Sequence, residues 1–271
     1  MRHTDRHANG KKSAEGSLDQ GLRDGAWVFW NDHGRKTLEQ EFVRGARHGW
    51  HTRWSADGRV KLAEGEFQHD REHGEWVLRH ESGELAERGR YVGGRRVGTW
   101  ESWHDNGALA ARGEYEHGAK QGPWVELHRN GREAARGVWL DGLRDGEWTF
   151  AHANGVLAAR GAFRRELREG PWETFHKNGA LETRGLYLGG ERTGLWTVWH
   201  DNGSKRAEGS FVDGEPFGWW EFWYEHGARR AAGELREGKQ SGPWKCWHID
   251  GSLDAATSGI YWEDELRERW R

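Results

Sequence analysis

Seven histidines recur at one position of a repeated pattern, and imidazole is a common ligand of transition metals. They are His80, His104, His128, His152, His176, His200 and His248. Ligands of one metal ion must converge, with metal–nitrogen bonds of about 2.0–2.1 Å. Histidines from successive two-stranded units would instead lie about 9.6 Å apart, at roughly 4.8 Å per strand. The spacing predicts packing or hydrogen bonding near a turn, whereas one strand per unit would halve the separation and reopen the metal alternative.

Basic residues form two further periodic sets. The arginine rung comprises Arg88, Arg112, Arg136, Arg160 and Arg184. The return-loop set comprises Arg23, Arg47, Arg96, Lys120, Arg144, Arg168 and Arg192. Such ladders can bind an acidic protein, an anionic lipid head group or nucleic acid. The competing interpretation is cross-strand ion pairing, because the predicted register puts Glu101 opposite Arg112. Glu173 faces Arg184 in the same way.

A third set, the aromatic rung, comprises Trp30, Trp54, Trp103, Phe175, Trp199, Trp223 and Trp247. A single-layer sheet can bury one face by curling, so aromatic residues on the other face leave an apolar stripe of the kind that marks interaction sites. The alternative is that twist and loops cover this stripe. We predict that partner binding involves Trp103, Phe175, Trp199, Trp223, Trp247, Arg88, Arg112, Arg136, Arg160 and Arg184.

Catalytic motifs do not accompany these sets. The sequence lacks Gly-x-Ser-x-Gly, the phosphate-binding Gly-x-x-x-x-Gly-Lys-Ser/Thr pattern and Cys-x-x-Cys. The single cysteine, Cys246, lies between Trp244 and Trp247 and is more typical of a packing residue than of a nucleophile. We therefore predict a protein without enzymatic activity, metal or cofactor.

All of these sets follow one period. The opening glycines are Gly25, Gly49, Gly74, Gly98, Gly122, Gly146, Gly170, Gly194, Gly218 and Gly242. Every step is 24 residues except the 25 between Gly49 and Gly74. We number positions from the opening glycine, and copies from copy 1 at Gly25 to copy 10 at Gly242. The third position is Trp in every copy except copy 2, which has His51. Such a period is typical of a tandem-repeat architecture.

Each copy has the pattern of a β-hairpin. Trp, Val, Thr and Phe fill the first strand, as β-propensity favours. A pair such as Asn106–Gly107 follows, and predicts a two-residue type I′ turn. The second strand ends at an aromatic residue such as Tyr115, and a glycine-containing loop returns to the next copy. The extra residue of copy 2, near Lys61 and Leu62, predicts a β-bulge.

The predicted turn fixes the strand register. Trp100 is expected opposite Gly113, with the ring covering that glycine. His104 is expected opposite Leu109. Because side chains alternate between faces, the arginine and aromatic rungs are expected together on the face opposite to Trp100.

The ends of the array differ from the copies between them. Residues 1–24 are predicted to be a degenerate N-terminal capping repeat, residues 25–261 to hold ten tandem hairpin repeats, and residues 262–271 to form a C-terminal cap. Acidic residues precede basic ones in the last segment, which favours a short capping helix. The predicted fold is all-β: an elongated single-layer antiparallel sheet of tandem β-hairpins of about 24 residues each.

Composition restricts the environment and the partner. Hydrophobic residues make up 34% of the chain and charged residues 31%, but 20 tryptophans oppose disorder. The net charge of -3 gives no general attraction to nucleic acid, and no nucleic-acid partner is expected. One cysteine fits a reducing compartment. The sequence has no apolar run of membrane-spanning length and no signal-peptide pattern at residues 1–10, so a cytoplasmic location is predicted.

The unit resembles the MORN repeat, in the variant found in bacterial YwqK-family proteins. The residues that carry the resemblance in copy 4 are Gly98, Trp100, Trp103, Asn106, Gly107, Gly113, Tyr115 and Gly118. This resemblance implies a long antiparallel sheet used for protein contacts and, in some eukaryotic proteins, for membrane lipid. The antitoxin label of YwqK-type proteins implies a partner that is a toxin or effector enzyme.

Together, these features predict a repeat scaffold, with no enzymatic activity, that binds a protein partner along its extended surface. Restraint of a toxin or effector is the narrower version. The alternative is a peripheral membrane protein that contacts anionic lipid through the basic rungs.

Overall fold

The computed structural model describes residues 1–269, which contain 23 β-strands and no helix. Within each unit the strands form an antiparallel sheet. Most copies contribute two strands that are adjacent in the chain and paired with each other. The predicted all-β fold of tandem hairpins is therefore confirmed. The chain divides into two compact units.

Unit 1 comprises Met1–Arg132 and Trp139–Gly142. Within this unit, consecutive strands pair antiparallel with each other. Its strands are β1 (Arg2–Arg6), β2 (Lys12–Asp19), β3 (Leu22–Trp30), β4 (Lys36–Val43), β5 (Ala46–Trp54), β6 (Lys61–Gln68), β7 (Arg71–Arg79), β8 (Leu85–Val92), β9 (Arg95–Trp103), β10 (Leu109–Glu116) and β11 (Ala119–Leu127).

Unit 2 comprises Glu133–Val138 and the chain from Leu143 onward. Strand β12 (Glu133–Leu140) thus has residues in both units. The strands that lie wholly in unit 2 are β13 (Leu143–Ala151), β14 (Leu157–Arg164), β15 (Leu167–Phe175), β16 (Leu181–Leu188), β17 (Glu191–Trp199), β18 (Lys205–Val212), β19 (Glu215–Trp223), β20 (Arg229–Arg236), β21 (Lys239–Cys246), β22 (Gly259–Trp262) and β23 (Glu265–Arg269). They also pair in chain order.

The Asn-Gly turns are not type I′. In copy 4 the Gly107 amide donates to the His104 carbonyl (2.9 Å), and the His104 amide donates to the Ala108 carbonyl (2.9 Å). Gly107 has a φ of 78°, whereas Asn106 does not have positive φ. The loop is therefore a three-residue type I turn closed by a left-handed glycine. The prediction of a type I′ turn at this pair was wrong.

The longer loop changes the register beside it. Trp100 does pair with Gly113, and Glu101 with Arg112, as predicted. Nearer the turn, Leu109 pairs with Trp103, because Ala110 is an extra residue in a bulge. The predicted pairing of His104 with Leu109 was wrong.

Type I′ turns occur instead in the return loops. His117 and Gly118 have φ of 52° and 91°, and Glu116 pairs with Ala119 around them. Consecutive positive φ angles at two central residues define this turn type. The same feature occurs at residues 20–21, 44–45, 69–70, 93–94, 141–142, 165–166, 189–190, 213–214, 237–238 and 263–264.

The opening glycine produces a bend in each first strand. Gly98 has a φ of 67°. On one side of it Arg88 pairs with Glu101, and on the other Arg90 pairs with Val97, so β9 has two more residues than β8 over this interval. Glycine adopts this left-handed conformation without steric cost.

The third-position tryptophans form the core. Trp124 covers Gly113 of the preceding copy, where a Cβ atom would overlap the indole ring. Its indole N–H donates to the Glu114 carbonyl (3.1 Å), next to the register shift. The predicted contact of Trp100 with Gly113 was therefore wrong, since Trp100 covers Gly89. The bend brings each ring onto the previous hairpin. These tryptophans are only 1–6% exposed: Trp27, Trp76, Trp100, Trp124, Trp148, Trp172, Trp196, Trp220 and Trp244.

Copy 2 has different residues at the position of the tryptophan–glycine contact. His51 replaces Trp, and Gln40 replaces the glycine that the ring would cover. Nδ1 of His51 lies 2.8 Å from Oε1 of Gln40, and Nε2 of Gln40 donates to the Glu41 carbonyl (2.7 Å). That carbonyl is equivalent to the one that accepts the indole N–H in other copies. Burial, assisted by the charges of Arg47 and Arg53, lowers the pKa of His51 to about 4.

The extra residue of copy 2 lies in its hairpin turn. The Ser55 amide donates to the Val60 carbonyl, one residue farther along than in copy 4. The Ser55 hydroxyl accepts hydrogen bonds from the Arg59 and Val60 amides. A bulge also occurs at Leu62, but copy 4 has the same bulge at Ala110. The prediction that a bulge absorbs the extra residue was wrong.

The C-terminal segment is a hairpin, and the predicted capping helix was wrong up to Arg269. Strands β22 and β23 pair around Glu263 and Asp264, which have φ of 49° and 68°. The Asp264 carboxylate accepts a hydrogen bond from the backbone amide of Gln240 (2.7 Å). The backbone amide of Asp264 donates to the Gln240 carbonyl (3.2 Å). These bonds hold a return turn that lacks glycine. Residues 270–271 of the predicted cap lie outside the described residues.

Candidate functional site

The histidine rung links successive hairpin turns. Nε2 of His104 lies 2.9 Å from the Leu127 carbonyl, 23 residues later. The amide of Asn106 donates in parallel to the Arg129 carbonyl (2.8 Å). Equivalent histidine bonds occur at His80, His152, His176 and His200. These imidazoles bond to the backbone, as expected from their spacing. Within residues 1–269, no group of three or more potential ligands is placed to hold a metal ion.

The return-loop basic set lies over the core. The Arg96 guanidinium is 4.1 Å from the centre of the Trp100 ring and 5.4 Å from that of Tyr115. Cation–π contacts of this kind contribute about 0.5–2 kcal/mol, depending on desolvation. Equivalent contacts involve Arg23, Arg47, Lys120, Arg144, Arg168 and Arg192. This set covers the aromatic core within the protein.

The arginine rung lies on the opposite, outward face. In unit 1, the Glu101 carboxylate is 2.6 Å from Arg88 and 3.7 Å from Arg112. Ion pairing was the competing interpretation of this rung, and the structure contains such pairs. The arginine side chains nevertheless remain 53% and 60% exposed, so their guanidinium groups stay accessible to a partner.

Unit 2 repeats this arrangement. The Glu173 carboxylate lies between Arg160 (2.5 Å) and Arg184 (2.7 Å), and Arg136 pairs with Glu133 (2.6 Å). Burial acts to raise the pKa of Glu173, but hydrogen bonds and charge from Arg160 and Arg184 hold it below its usual value. The three arginines are 57–63% exposed.

The aromatic rung is on the same outward face, nearer the hairpin turns. Its members Trp103, Phe175, Trp199, Trp223 and Trp247 are all half-buried. Basic side chains partly cover three of the rings. Arg88 lies 5.7 Å from the Trp103 ring and Arg160 lies 5.7 Å from the Phe175 ring. Lys205 covers Trp223 in the same way (5.5 Å). Within each unit, the outward face therefore combines half-buried aromatic rings with exposed arginine guanidinium groups.

Sequence reasoning missed a second apolar group on this face, near the return turns of unit 2. It comprises Leu186, Leu188, Leu195, Val212, Phe217 and Trp219, which are 44–66% exposed. The signal was present in the period, because the equivalent positions of unit 1 are mostly polar.

The cysteine has an ordinary structural environment. Cys246 is half-buried, and its Sγ is 3.5 Å from the Thr257 carbonyl. Its amide donates to the hydroxyl of the fully buried Ser258 (3.0 Å).

Residues 1–269 contain no helix with the length and hydrophobicity needed to span a membrane.

Comparison with known proteins finds a family profile that is similar to part of this chain. Residues 96–117, 168–188 and 192–213 match the profile of the family described as MORN repeat variant. No curated protein matches the sequence. Among solved structures, the chain is similar to one titled "Crystal Structure of TcdB2-TccC3", at 10% identity and a TM-score of 0.14. The alignment covers 97% of this chain and 21% of that chain, so this chain spans about a fifth of its length. A TM-score this low adds nothing to the fold assignment.

MORN repeats in general mediate contacts with proteins or membranes, and the family is generally non-enzymatic. One matched stretch lies in unit 1 and two lie in unit 2. The hairpins built around Trp100, Trp172 and Trp196 are thus similar to the MORN repeat variant in sequence.

Proposed function

We propose that this chain is a repeat scaffold, without enzymatic activity, that binds a protein partner through the outward face of its sheet. The observation that carries this proposal is the pairing, on that face, of half-buried aromatic rings with arginines more than half exposed. Aromatic residues and arginine are enriched at protein interfaces. The inward tryptophans, most of the histidine rung and the return-loop cations bond within the protein and are not free to serve a partner.

The ion pairs of the arginine rung do not prevent partner binding. Arg160 and Arg184 share one carboxylate, that of Glu173, so one of them can turn to a carboxylate of the partner. An exposed ion pair is worth about 0–1 kcal/mol, so exchanging it costs little. Arginine also presents a fork of donors that fits a carboxylate in two-pronged geometry. These properties support a partner that carries acidic residues.

Restraint of a toxin or effector enzyme is the narrower form of this proposal. It is supported by the resemblance of the unit to YwqK-type proteins alone, and a cytoplasmic location would suit it. The partner-binding residues would be those of the arginine rung and the aromatic rung.

Isolation of the tagged chain from its native host tests the proposal. We expect a partner in stoichiometric amount with the wild type and a marked loss with R160A/R184A. Arg35→Ala, at an exposed hairpin turn, is the matched control and should retain the partner. Recovery of no stoichiometric partner, or equal recovery with R160A/R184A, would contradict the proposal.

Contact with anionic lipid is the second candidate function, and the exposure of the arginine rung is what favours it. Flotation with anionic and neutral vesicles separates the two candidates. Binding to anionic vesicles that weakens with salt and is lost in R160A/R184A would support the membrane alternative. Absence of flotation would remove it.

A further inference from the structure

The outward face of unit 2 carries an exposed apolar patch beside its return turns. We use the name apolar patch for Leu186, Leu188, Leu195, Val212, Phe217 and Trp219, which are 44–66% exposed. They lie on the four consecutive strands β16 to β19. Contiguous exposed apolar residues mark interaction sites more often than scattered ones do.

The pairing of the strands makes the patch continuous. Leu186 pairs with Thr193, and its side chain lies 3.9 Å from where a Cβ of Gly194 would be, next to Leu195. Leu195 pairs with Ser210, which in turn pairs with Phe217. Three steps between strands span roughly 14 Å. That width matches about ten residues of helix.

The repeat itself does not require apolar residues at these positions. Position 17 is Leu186 in copy 7 but Glu41 in copy 1 and Glu114 in copy 4. Position 2 is Leu195 in copy 8 and Trp219 in copy 9, whereas copies 3 and 4 have Glu75 and Thr99. Thr99 and Glu114 are hydrogen-bonded to each other (2.6 Å) in an intact hairpin. The apolar residues of copies 7 to 9 are therefore available for another purpose.

The charges around the patch are acidic. Glu191, Asp213, Glu215 and Glu237 are exposed along its return-turn side, and within residues 1–269 none of the four has an ion-pair or hydrogen-bond partner through its carboxylate. On the other side, Lys205 and Arg229 already neutralise Glu208 (2.8 Å) and Glu221 (2.9 Å). Along this return-turn side, from Glu191 to Glu237, the charge left without a counterpart is negative, which is unfavourable beside an anionic membrane.

We propose that the apolar patch docks a basic amphipathic segment of the protein partner. Apolar side chains of that segment would cover Leu186, Leu195 and Trp219, and its lysines or arginines would contact Glu191, Asp213 and Glu215. This inference rests on the proposed function and names a second surface for it, complementary in charge to the arginine rung. One partner could use both surfaces by presenting acidic and basic elements to them.

A peptide library displayed on phage, with random 16-residue inserts, tests this pairing directly. Selection on the wild type is combined with depletion on L186E/L195T/W219E. Each replacement is a residue that the chain already carries at the same repeat position, in Glu114, Thr99 and Glu75, so the variant should fold. The control V43E/V92E removes two exposed apolar side chains at position 19 of unit 1.

We expect enriched peptides that combine apolar residues with lysine or arginine, and at least tenfold weaker binding of synthetic copies to the triple variant than to the control. Enrichment of acidic peptides, equal binding to the triple variant, or no patch-dependent peptide overturns the inference. Co-sedimentation with anionic vesicles that the triple variant loses also overturns it. Peptides lost only in R160A/R184A would overturn this inference and leave the proposed function standing, whereas failure of the host isolation counts against the proposed function itself.

Discussion

At the scale of the residue, the core depends on a pair that is distant in sequence. A tryptophan needs the bare backbone of the glycine in the previous hairpin, as Trp124 needs Gly113. In copy 2 both members change together, to Gln40 and His51, and their side chains form the hydrogen bond that joins them. From the sequence, His51 is a lone exception, because the compensating residue is recognised only when the bend places one hairpin over the other.

We expect Gln40→Gly and His51→Trp to be strongly coupled. The indole of H51W alone would overlap Gln40, and overpacking of this kind costs about 1–3 kcal/mol. Q40G alone leaves His51 without its partner, at a cost of about 1–3 kcal/mol. The double variant recreates the common tryptophan–glycine contact and should equal or exceed the wild type in stability.

A double-mutant cycle of chemical unfolding measures this coupling, which should be at least the sum of the two single costs, about 2–6 kcal/mol. The equivalent tryptophan–glycine contact in copy 3, between Trp76 and Gly65, serves as the reference. Additive effects of the two substitutions would show that the contact was assigned wrongly.

His51 also predicts a dependence of stability on pH. Its pKa in the folded protein is about 4, below the ordinary value of 6.5, because burial disfavours the charged form. Between these values the unfolded chain binds more protons, so stability falls as pH decreases from about 6.5 toward 4. We expect the wild type to lose more stability than Q40G/H51W between pH 7.5 and 4.5.

Unfolding midpoints at the two pH values give this comparison. On acidification, protonation of ion-paired surface carboxylates lowers the stability of both proteins. The difference between the two proteins therefore reports the contribution of His51. An NMR titration of His51 with a midpoint near 6.5 would contradict the assignment.

At the scale of the element, the sequence was sufficient for the hairpins but not for their turns. The period, the strand-forming residues and the Asn-Gly pairs predict two strands per copy, and Trp100 opposite Gly113 follows from them. Both turn types accept glycine at the last loop residue. The type I turn is accompanied by a bond from the Asn106 side chain to Arg129 of the next copy, which no local pattern reveals.

The two turns should respond oppositely to substitution. His117 has a φ of 52° in a type I′ turn, and asparagine tolerates that conformation better, so His117→Asn should stabilise by about 0.5–1 kcal/mol. Asn106→Gly loses bonds to Ala108 and Arg129 and gains no relief of strain, so it should destabilise by about 1 kcal/mol. Thermal unfolding of both variants checks the assignment. Stabilisation by Asn106→Gly would indicate a type I′ turn there.

The composition of the outward face was predicted in part for the same reason. Alternation of side chains places Arg112 and Trp103 on one face, because it depends only on the strand. The position of the return-loop set was harder to predict from the sequence, because the cation–π contact of Arg96 with Trp100 depends on the bend at Gly98. The apolar patch is visible in the sequence only when equivalent positions of different copies are compared.

At the scale of the whole molecule, the strands described within residues 1–269 pair with their neighbours along the chain, in unit 1 and in unit 2 alike. Stability in such an array is approximately a sum of repeat and nearest-neighbour contributions. Among the described residues of each unit, no connection between distant strands fixes the number of copies. The ladders of His104 and Asn106 reach only the next turn, and the return turns are linked in the same way, as by the bond from the Gly118 amide to the Arg96 carbonyl.

Deleting one full period from unit 1 should therefore preserve its fold. Removal of residues 98–121 joins Val97 to Gly122, so an opening glycine again follows Val97 and Trp124 takes the place of Trp100 over Gly89. The His80 imidazole, which bonds to the Trp103 carbonyl, would meet the equivalent Leu127 carbonyl. The strand pairing and the turn-to-turn bonds across the junction therefore have counterparts in the intact chain, whereas the Arg88–Glu101 ion pair is lost because Val125 replaces Glu101.

Removal of residues 98–109 is the matched control. This deletion of half a period removes one strand, so every strand after it would run in the opposite direction. Circular dichroism and chemical unfolding should show a cooperative transition of the native type for the 24-residue deletion, with a lower midpoint, and loss of that transition in unit 1 for the 12-residue deletion. Equal damage from both deletions would mean that unit 1 folds through contacts beyond neighbouring copies, since nearest-neighbour pairing distinguishes a whole period from half of one.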